Sequence, residues 1–212
     1  MTPGKRIMDI GLSLVLITVL AVPFLLICLW ILLSDGRPIF FPSERMKAPR
    51  TPFTLWKFRT MIADRNDTGV SGGYKSTRIT KTGHVLRAKR LDELPQLWNI
   101  LKGDMSFVGP RPPLRRYVEL CPDIYERVLR NRPGVTGLAT LTYHPTEERL
   151  LSKCGSAEET EDVYLRQCIP AKARLDLLWA RKRSVCYDSG LILQTIRRVL
   201  LKNRTKSARR TG

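Results

Sequence analysis

The stretch IGLSLVLITVLAVPFLLICLWILL, residues 10–33, runs for 24 residues without a formal charge. As one straight helix it would be about 36 Å long at ~1.5 Å per residue, enough for a hydrocarbon core of ~30 Å. A secretory signal is a poor fit. Lys5 and Arg6 could form its basic start, but the apolar run is too long and no small-x-small cleavage site follows it. Pro23 sits near the middle of the run. Its ring removes a backbone donor and clashes with the carbonyl of Val19, so the helix should kink or break there.

Both flanks are basic, with Lys5 and Arg6 before the run and Arg37, Arg45, Lys47 and Arg50 after it. The positive-inside rule holds both ends on the cytoplasmic side. A helix-break-helix hairpin that enters and leaves by one face meets both conditions. A proline-kinked ordinary span with Lys5 and Arg6 in the cytoplasm is the alternative, and the residues alone leave the two level.

After residue 36 the chain turns polar and basic, and no other run approaches membrane-spanning length. The remainder is expected at or outside the bilayer. Residues 53–59 alternate apolar with polar or basic side chains, which predicts a short strand. Residues 64–73, rich in Asp, Asn, Thr, Ser and Gly, read as a mobile loop. A short basic helix is expected over 83–90 and another helix over 95–102, ended by Gly103. Residues 110–113 form a rigid extended segment. Amphipathic helices are expected over 117–131, 163–183 and 191–202, with a disordered basic tail over 203–212.

The composition fits a membrane-surface protein. Lys and Arg number 37 against 19 Asp and Glu in 212 residues, a formal net charge of +18, and there are two His. Hydrophobic residues make up 43%, which excludes a disordered chain. So basic a balance asks for an anionic partner: nucleic acid, an anionic membrane face or a phosphorylated substrate. Seven cations lie between Arg197 and Arg210. Each can add about 1 kcal/mol of attraction near an anionic leaflet; a solvated tail is the plainer reading. The apolar N-terminus makes anionic lipid headgroups the nearer partner, and nucleic acid is not expected. The five cysteines are odd in number and widely spaced, without a C-x-x-C pair. That argues against a disulfide framework and a zinc site and for a reducing compartment.

The segment able to carry chemistry is RLDELPQLWNILKGDMSFVGPRP, residues 90–112. Asp92 and Glu93 precede Leu94-Pro95. Proline disfavours helix in the residue before it but is accepted in a first helical turn. The two carboxylates therefore fall at or just before a helix N-terminus, where unpaired N–H groups and the helix dipole favour negative charge. A carboxylate there stays ionised and can act as nucleophile or metal ligand; an ordinary N-cap is the plain alternative. Adjacent positions are ~100° apart on a helix, so the two would take separate roles. Arg87, Lys89 and Arg90 lie just before them and suit a phosphate. Arg111 is stiffened between Pro110 and Pro112 and suits bidentate phosphate contacts. Lys57 and Arg59, two apart on the expected strand, point the same way and can clamp a phosphate or form a wet face.

These residues resemble the bacterial sugar transferase family, the small monotopic polyprenyl-phosphate phosphoglycosyl transferases. The matching segments are KRIMDI at 5–10, KFRTM at 57–61, RITKTGHVLR at 78–87, LDELPQLWNILKGDMSFVGPRP at 91–112 and RPGVTGLA at 132–139, with a looser IPAKARLDLLWARKRS at 169–184 followed by Asp188. The resemblance implies transfer of a sugar-1-phosphate from a UDP-sugar to undecaprenyl phosphate, giving UMP and an undecaprenyl-diphosphate sugar, with Mg²⁺. It implies that Asp92 is the nucleophile, forming a covalent phospho-sugar intermediate, that Glu93 is essential beside it, and that Pro110, Arg111 and Pro112 lie near the phosphates. Asp92 is also the expected metal ligand. Arg87, Lys57 and Arg59 are expected to bind substrate. A homodimer is a reasonable expectation.

The implied architecture is mainly α with a small β element. Residues 1–36 form a re-entrant helix broken at Pro23, residues 37–202 a compact cytosolic catalytic domain with membrane-surface amphipathic helices, and 203–212 the basic tail. The expected place is the bacterial inner (cytoplasmic) membrane, with the catalytic domain on its cytoplasmic face. Two departures stand out. The family's helix break is a Ser-Pro step, whereas here it is Val22-Pro23; and many members carry Gly-Leu-Ala-Gln where this chain has Gly137-Leu138-Ala139-Thr140. Two other functions compete. A membrane-tethered basic scaffold for anionic lipid or nucleic acid explains the charge but not the Asp92 motif. A metal-dependent nucleotide-sugar pyrophosphatase would release UMP without a lipid acceptor.

Overall fold

The computed structural model describes residues 2–62 and 78–208. The loop expected over 64–73 lies outside the described residues. The apolar N-terminus forms two helices, α1 (Pro3–Val19) and α2 (Ala21–Ser34), bent by 62° to one another. Thr2 caps α1, its hydroxyl accepting from the Lys5 N–H at 3.4 Å, and Pro3 opens the first turn, where a donor is not needed. The break follows from Pro23. α1 ends at Val19, the residue whose carbonyl Pro23 leaves without a donor, and Pro23 itself falls in the first turn of α2, where proline is accepted. No single helix among the described residues is long and apolar enough to cross a membrane. The bent pair leaves Leu14, Val15, Val19, Val22, Leu25, Leu26 and Leu33 exposed, an apolar surface that a water-soluble monomer rarely carries.

The rest is helical around two small sheets. β1 (Phe40–Ala48) and β2 (Thr51–Phe58) form an antiparallel hairpin with Phe40 opposite Phe58. Then come α3 (Lys81–Ala88), a 3₁₀ turn at Leu91–Glu93, and α4 (Gln96–Lys102), closed by Gly103 at φ 90°. β3 (Ser106–Val108) pairs in parallel with β4 (Gly134–Thr136). Between them lie α5 (Arg115–Leu120) and α6 (Pro122–Val128). After β4 come α7 (Leu138–Leu151), α8 (Ala157–Val163), a π turn at Tyr164–Cys168, α9 (Ile169–Lys182) and α10 (Val185–Ala208).

The mainly helical class and the strand and helices expected near 53–59, 83–90 and 95–102 are present. The single helix expected over 117–131 is two, because Pro122 begins a new helix after Cys121. The helix expected over 191–202 is part of α10, which starts earlier and passes the 202/203 boundary to reach Ala208, so helix occupies part of the segment read as a disordered tail.

The bent apolar helix pair is packed onto the core. Phe24 of α2 stacks with the β-hairpin, its ring centroid 5.0 Å from Phe58 and 6.0 Å from Phe40, over buried Ile27, Ile31 and Leu86. Leu12 and Leu16 of α1 lie against a second cluster that includes Ile100, Met105, Val108 and Trp179. Three polar side chains of α1 lock this contact. Lys5 pairs with Asp188 of α10 in the interior, and the Trp179 indole N–H donates to the same carboxylate at 2.8 Å. The Arg6 guanidinium donates to the Ile100 and Leu101 carbonyls in the last turn of α4, both at 2.6 Å. Asp9 accepts from the Ser106 hydroxyl at 3.1 Å and the Phe107 N–H at 3.3 Å. The segment KRIMDI is thus the joint between the apolar helix and the strand and helix that carry residues 90–112.

Candidate active site

Asp92 and Glu93 lie in the 3₁₀ turn ahead of α4, and Pro95 caps that helix. The turn is entered through Arg90, whose φ of 58° is left-handed, a conformation uncommon for a non-glycine residue. Asp92 and Glu93 thus lie just before the helix N-terminus, as expected, while the cap itself is Pro95. Asn99 of α4 registers the turn against the β-hairpin: its amide donates to the Thr54 carbonyl at 2.7 Å and accepts from the Trp56 N–H at 3.1 Å. That bond sets Lys57 of β2 beside Glu93.

Glu93 is 10% exposed and faces three cations, Arg111 at 3.4 Å, Arg90 at 3.8 Å and Lys57 at 3.9 Å. Burial pushes its carboxyl up, but Arg111, Lys57 and Arg90 together outweigh burial and hold it below the ordinary glutamate range. Asp92 differs. It makes no salt bridge at ion-pair distance among the described residues. Burial and then the Glu93 charge push its carboxyl above the ordinary aspartate value, against the pull of Lys57 and Arg87. Lys57 is pushed down to about 8 by burial and by Arg111, with Glu93 and Asp92 opposing. Arg45 of β1 is pushed down to about 10 by the same two causes.

The Pro110–Arg111–Pro112 segment is strapped on both sides. The Pro110 carbonyl accepts from the Gly134 N–H at 2.8 Å, extending the β3–β4 pairing, and the Met46 N–H of β1 donates to Pro113 at 3.0 Å. Gly134 has no room for a side chain, since a β-carbon there would run into the Gly109 backbone. Arg111 is thereby aimed over Glu93 at the mouth of a narrow crevice lined by Arg45, Leu55, Lys57, Gln96 and Pro112.

Of the residues expected from sequence, Asp92, Glu93, Lys57, Arg111, Pro110 and Pro112 come together, and exposed Arg87 on α3 adds its charge beside Asp92. Arg59 does not join them. Arg59 lies just past the end of β2, its N–H still bonded to the Ile39 carbonyl at 2.9 Å, but its side chain is taken up elsewhere. Its guanidinium donates instead to the carbonyls of Asp35 at 2.5 Å and Gly36 at 2.7 Å, fastening the end of α2 to the hairpin. The site role expected for Arg59 gives way to a structural one.

Sequence reasoning passed over a second polar group on α7, α9 and the π turn. Lys172 donates to Glu147 at 3.0 Å and to the Tyr164 hydroxyl at 3.3 Å, and Tyr164 and Glu147 both act electrostatically on Arg111. His144, whose pKa burial lowers against the pull of Glu148, feels Arg90 and Arg111. The run Leu141-Thr142-Tyr143-His144 after the Pro-Gly step points in the sequence to His144 alone among these residues.

Chemically, Arg45, Lys57, Arg87, Arg90 and Arg111 around two carboxylates suit an anionic phosphate substrate. No three His, Cys, Asp or Glu side chains gather as a metal cage among the described residues. A lone carboxylate without an ion pair does match the way Mg²⁺ is commonly held, by one or two carboxylates with phosphates and waters completing the shell. Asp92 fits that donor set; Glu93, engaged by three cations, does not.

A model of the bacterial sugar transferase family matches residues 2–202. The chain is similar to an uncharacterized sugar transferase, EpsL, of Bacillus subtilis (strain 168), 40% identical over 137 residues that cover 65% of this chain and 67% of the relative. It is 30% identical over 202 residues to the UDP-N-acetylgalactosamine-undecaprenyl-phosphate N-acetylgalactosaminephosphotransferase of Aeromonas hydrophila, covering 92% of this chain and 43% of that one. It is 34% identical over 198 residues to a UDP-glucose:undecaprenyl-phosphate glucose-1-phosphate transferase of Caulobacter vibrioides, covering 91% and 68%. The chain thus spans less than half of the Aeromonas relative and about two thirds of the other two.

Proposed function

As the chain belongs to the bacterial sugar transferase family, we propose that it is a polyprenyl-phosphate phosphoglycosyl transferase that moves a sugar-1-phosphate from a UDP-sugar to undecaprenyl phosphate in polysaccharide synthesis. The observation that carries this reading is the contrast between the two carboxylates: Glu93 is engaged by three cations, while Asp92 beside it has no salt bridge among the described residues.

The donor diphosphate binds across Lys57, Arg87 and Arg111. A carboxylate oxygen of Asp92 attacks the phosphorus that bears the sugar, the bond to the UMP oxygen breaks, and UMP leaves with the electron pair. A phosphate oxygen of undecaprenyl phosphate then attacks the same phosphorus and releases the Asp92 carboxylate. Splitting the transfer in two lets one carboxylate serve both substrates in turn. Glu93 holds Arg111 and Lys57 in place and keeps them from closing on Asp92. Mg²⁺, held by Asp92 with the donor phosphates, would neutralise diphosphate charge. α1 and α2 act as a re-entrant anchor, supported by the 62° break and the basic flanks, with residues 37–202 as the catalytic domain on the cytoplasmic face of the inner membrane.

The test is UMP release by purified protein in detergent with Mg²⁺, undecaprenyl phosphate and a panel of UDP-sugars. Lipid-dependent release, with sugar label entering the lipid phase, supports the reading. UMP release without lipid label indicates a pyrophosphatase instead. Cysteines placed at residues 2 and 36 test the anchor: labelling from opposite faces contradicts re-entry.

A further inference from the structure

A further cavity lies away from Asp92. It has a volume of about 320 Å³ between the end of α6 and the last two turns of α9, lined by Arg127, Arg130, Asn131, Leu177, Ala180, Arg181 and Arg183. Arg127 of α6 and Arg130 of the turn that follows it line one wall, and Leu177 and Arg181, four apart on one face of α9, line the other. The Arg183 guanidinium donates to the Asn131 side chain and bridges the two walls. Arg127, Arg130 and Arg181 make no ion pair among the described residues, and the lining includes no carboxylate. Four guanidinium groups around one concavity repel each other unless an anion enters, and their planar donor forks match phosphate oxygens. Leu177 and Ala180 give the cavity an apolar floor.

We infer that this cavity is a second anion site, separate from the catalytic crevice, that takes a phosphate group. Its position allows two sources. Two residues beyond Arg183, a methyl carbon of Val185 lies 3.8 Å from where a β-carbon would sit on Gly4, in the first turn of the bent apolar helix pair. A lipid headgroup beside the anchor can reach the arginines, and so can a soluble phosphate from the other side.

The test measures binding to the full chain in detergent, with the catalytic site intact, for two probes: inorganic pyrophosphate and dioctanoyl phosphatidylglycerol, with dioctanoyl phosphatidylcholine as the blank. The cavity variant is Arg127→Gln/Arg130→Gln/Arg181→Gln. The control, Arg149→Gln/Lys153→Gln/Arg174→Gln, removes the same charge elsewhere. The expected result is at least about tenfold weaker binding of one probe by the cavity variant and a change within about twofold for the control. Loss confined to pyrophosphate assigns a soluble phosphate, and loss confined to phosphatidylglycerol assigns a headgroup. The single variant Arg181→Gln should shift the same way by a smaller factor, so the test survives poor folding of the triple variant. Equal binding by cavity and control variants for both probes overturns the site. Sugar transfer is not the readout, so this result stands apart from the proposed reaction.

Discussion

Arg111 donates to Glu93 at 3.4 Å, from a backbone held on both sides by hydrogen bonds to the Pro110 and Pro113 carbonyls. The pair assigns the adjacent carboxylates to different tasks. Removing the Asp92 charge should abolish chemistry and spare the fold; removing that of Glu93 should harm both. Asp92→Asn is expected to lower transfer by about a thousandfold or more with an unchanged melting temperature. Glu93→Gln is expected to lower transfer and also cost about 2 kcal/mol, discounted because its cations are partly exposed. Steady-state UMP release and thermal melts in detergent check both. Equal activity losses with equal destabilisation would contradict the division of labour.

The rate should depend on pH on both sides. Asp92 must be ionised to attack, and its carboxyl is held above the ordinary aspartate value, so the acid limb of kcat/KM should lie higher than an unperturbed aspartate would give. Lys57 is held down to about 8, so its charge is lost as pH rises through that value and activity should fall on the alkaline side. Lys57→Arg keeps the cation and should move the alkaline limb up by at least about one pH unit. An unmoved limb would remove Lys57 from substrate binding.

Asp176 of α9 is 7% exposed, and burial pushes its carboxyl up to about 7, with Lys172 pulling the other way. An acid with a raised folded pKa binds its proton more tightly in the folded than in the unfolded chain. Its contribution is therefore favourable at low pH and is lost as pH rises to about 7. Asp176→Asn should leave stability little changed near pH 4 and raise it by a few kcal/mol at pH 8. Melting temperatures of the two proteins across that range measure the difference, and a gap independent of pH would be the contrary result.

The Lys5–Asp188 pair joins the first helix to the last inside the molecule. Breaking it from one side strands a buried charge, so Lys5→Met and Asp188→Leu should each cost about 3–5 kcal/mol. The double variant Lys5→Met/Asp188→Leu should recover a large part of that loss. Additive losses in the double-mutant cycle would mean that the pair does not act as a unit.

Local physics was readable in the sequence where one residue decides the outcome. Pro23 predicts the end of α1, and Gly103, at φ 90°, the end of α4. The motif around Asp92 was legible as a charge-rich segment just before a helix, but not as a 3₁₀ turn, since the left-handed φ of Arg90 that opens it has no signal in a non-glycine residue. The part played by Arg59 was not legible because a period of two gives a residue's face and not its partners, and the carbonyls at the end of α2 that engage its guanidinium are 23 and 24 residues away. β1 carries Pro42 and several charges, so its pairing depends on the partner strand more than on its own pattern. The group formed by Glu147, Tyr164 and Lys172 was out of reach because three distant segments build it.

The central claim is that Asp92 carries the sugar phosphate between donor and acceptor. The most direct test is intact-protein mass spectrometry after incubation with Mg²⁺ and the accepted UDP-sugar in the absence of undecaprenyl phosphate. The account predicts one added sugar-phosphate mass, mapped to the peptide containing Asp92, absent in Asp92→Asn and discharged when undecaprenyl phosphate is added. Lipid-dependent transfer by the wild-type protein with no adduct, together with turnover by Asp92→Asn, would contradict it.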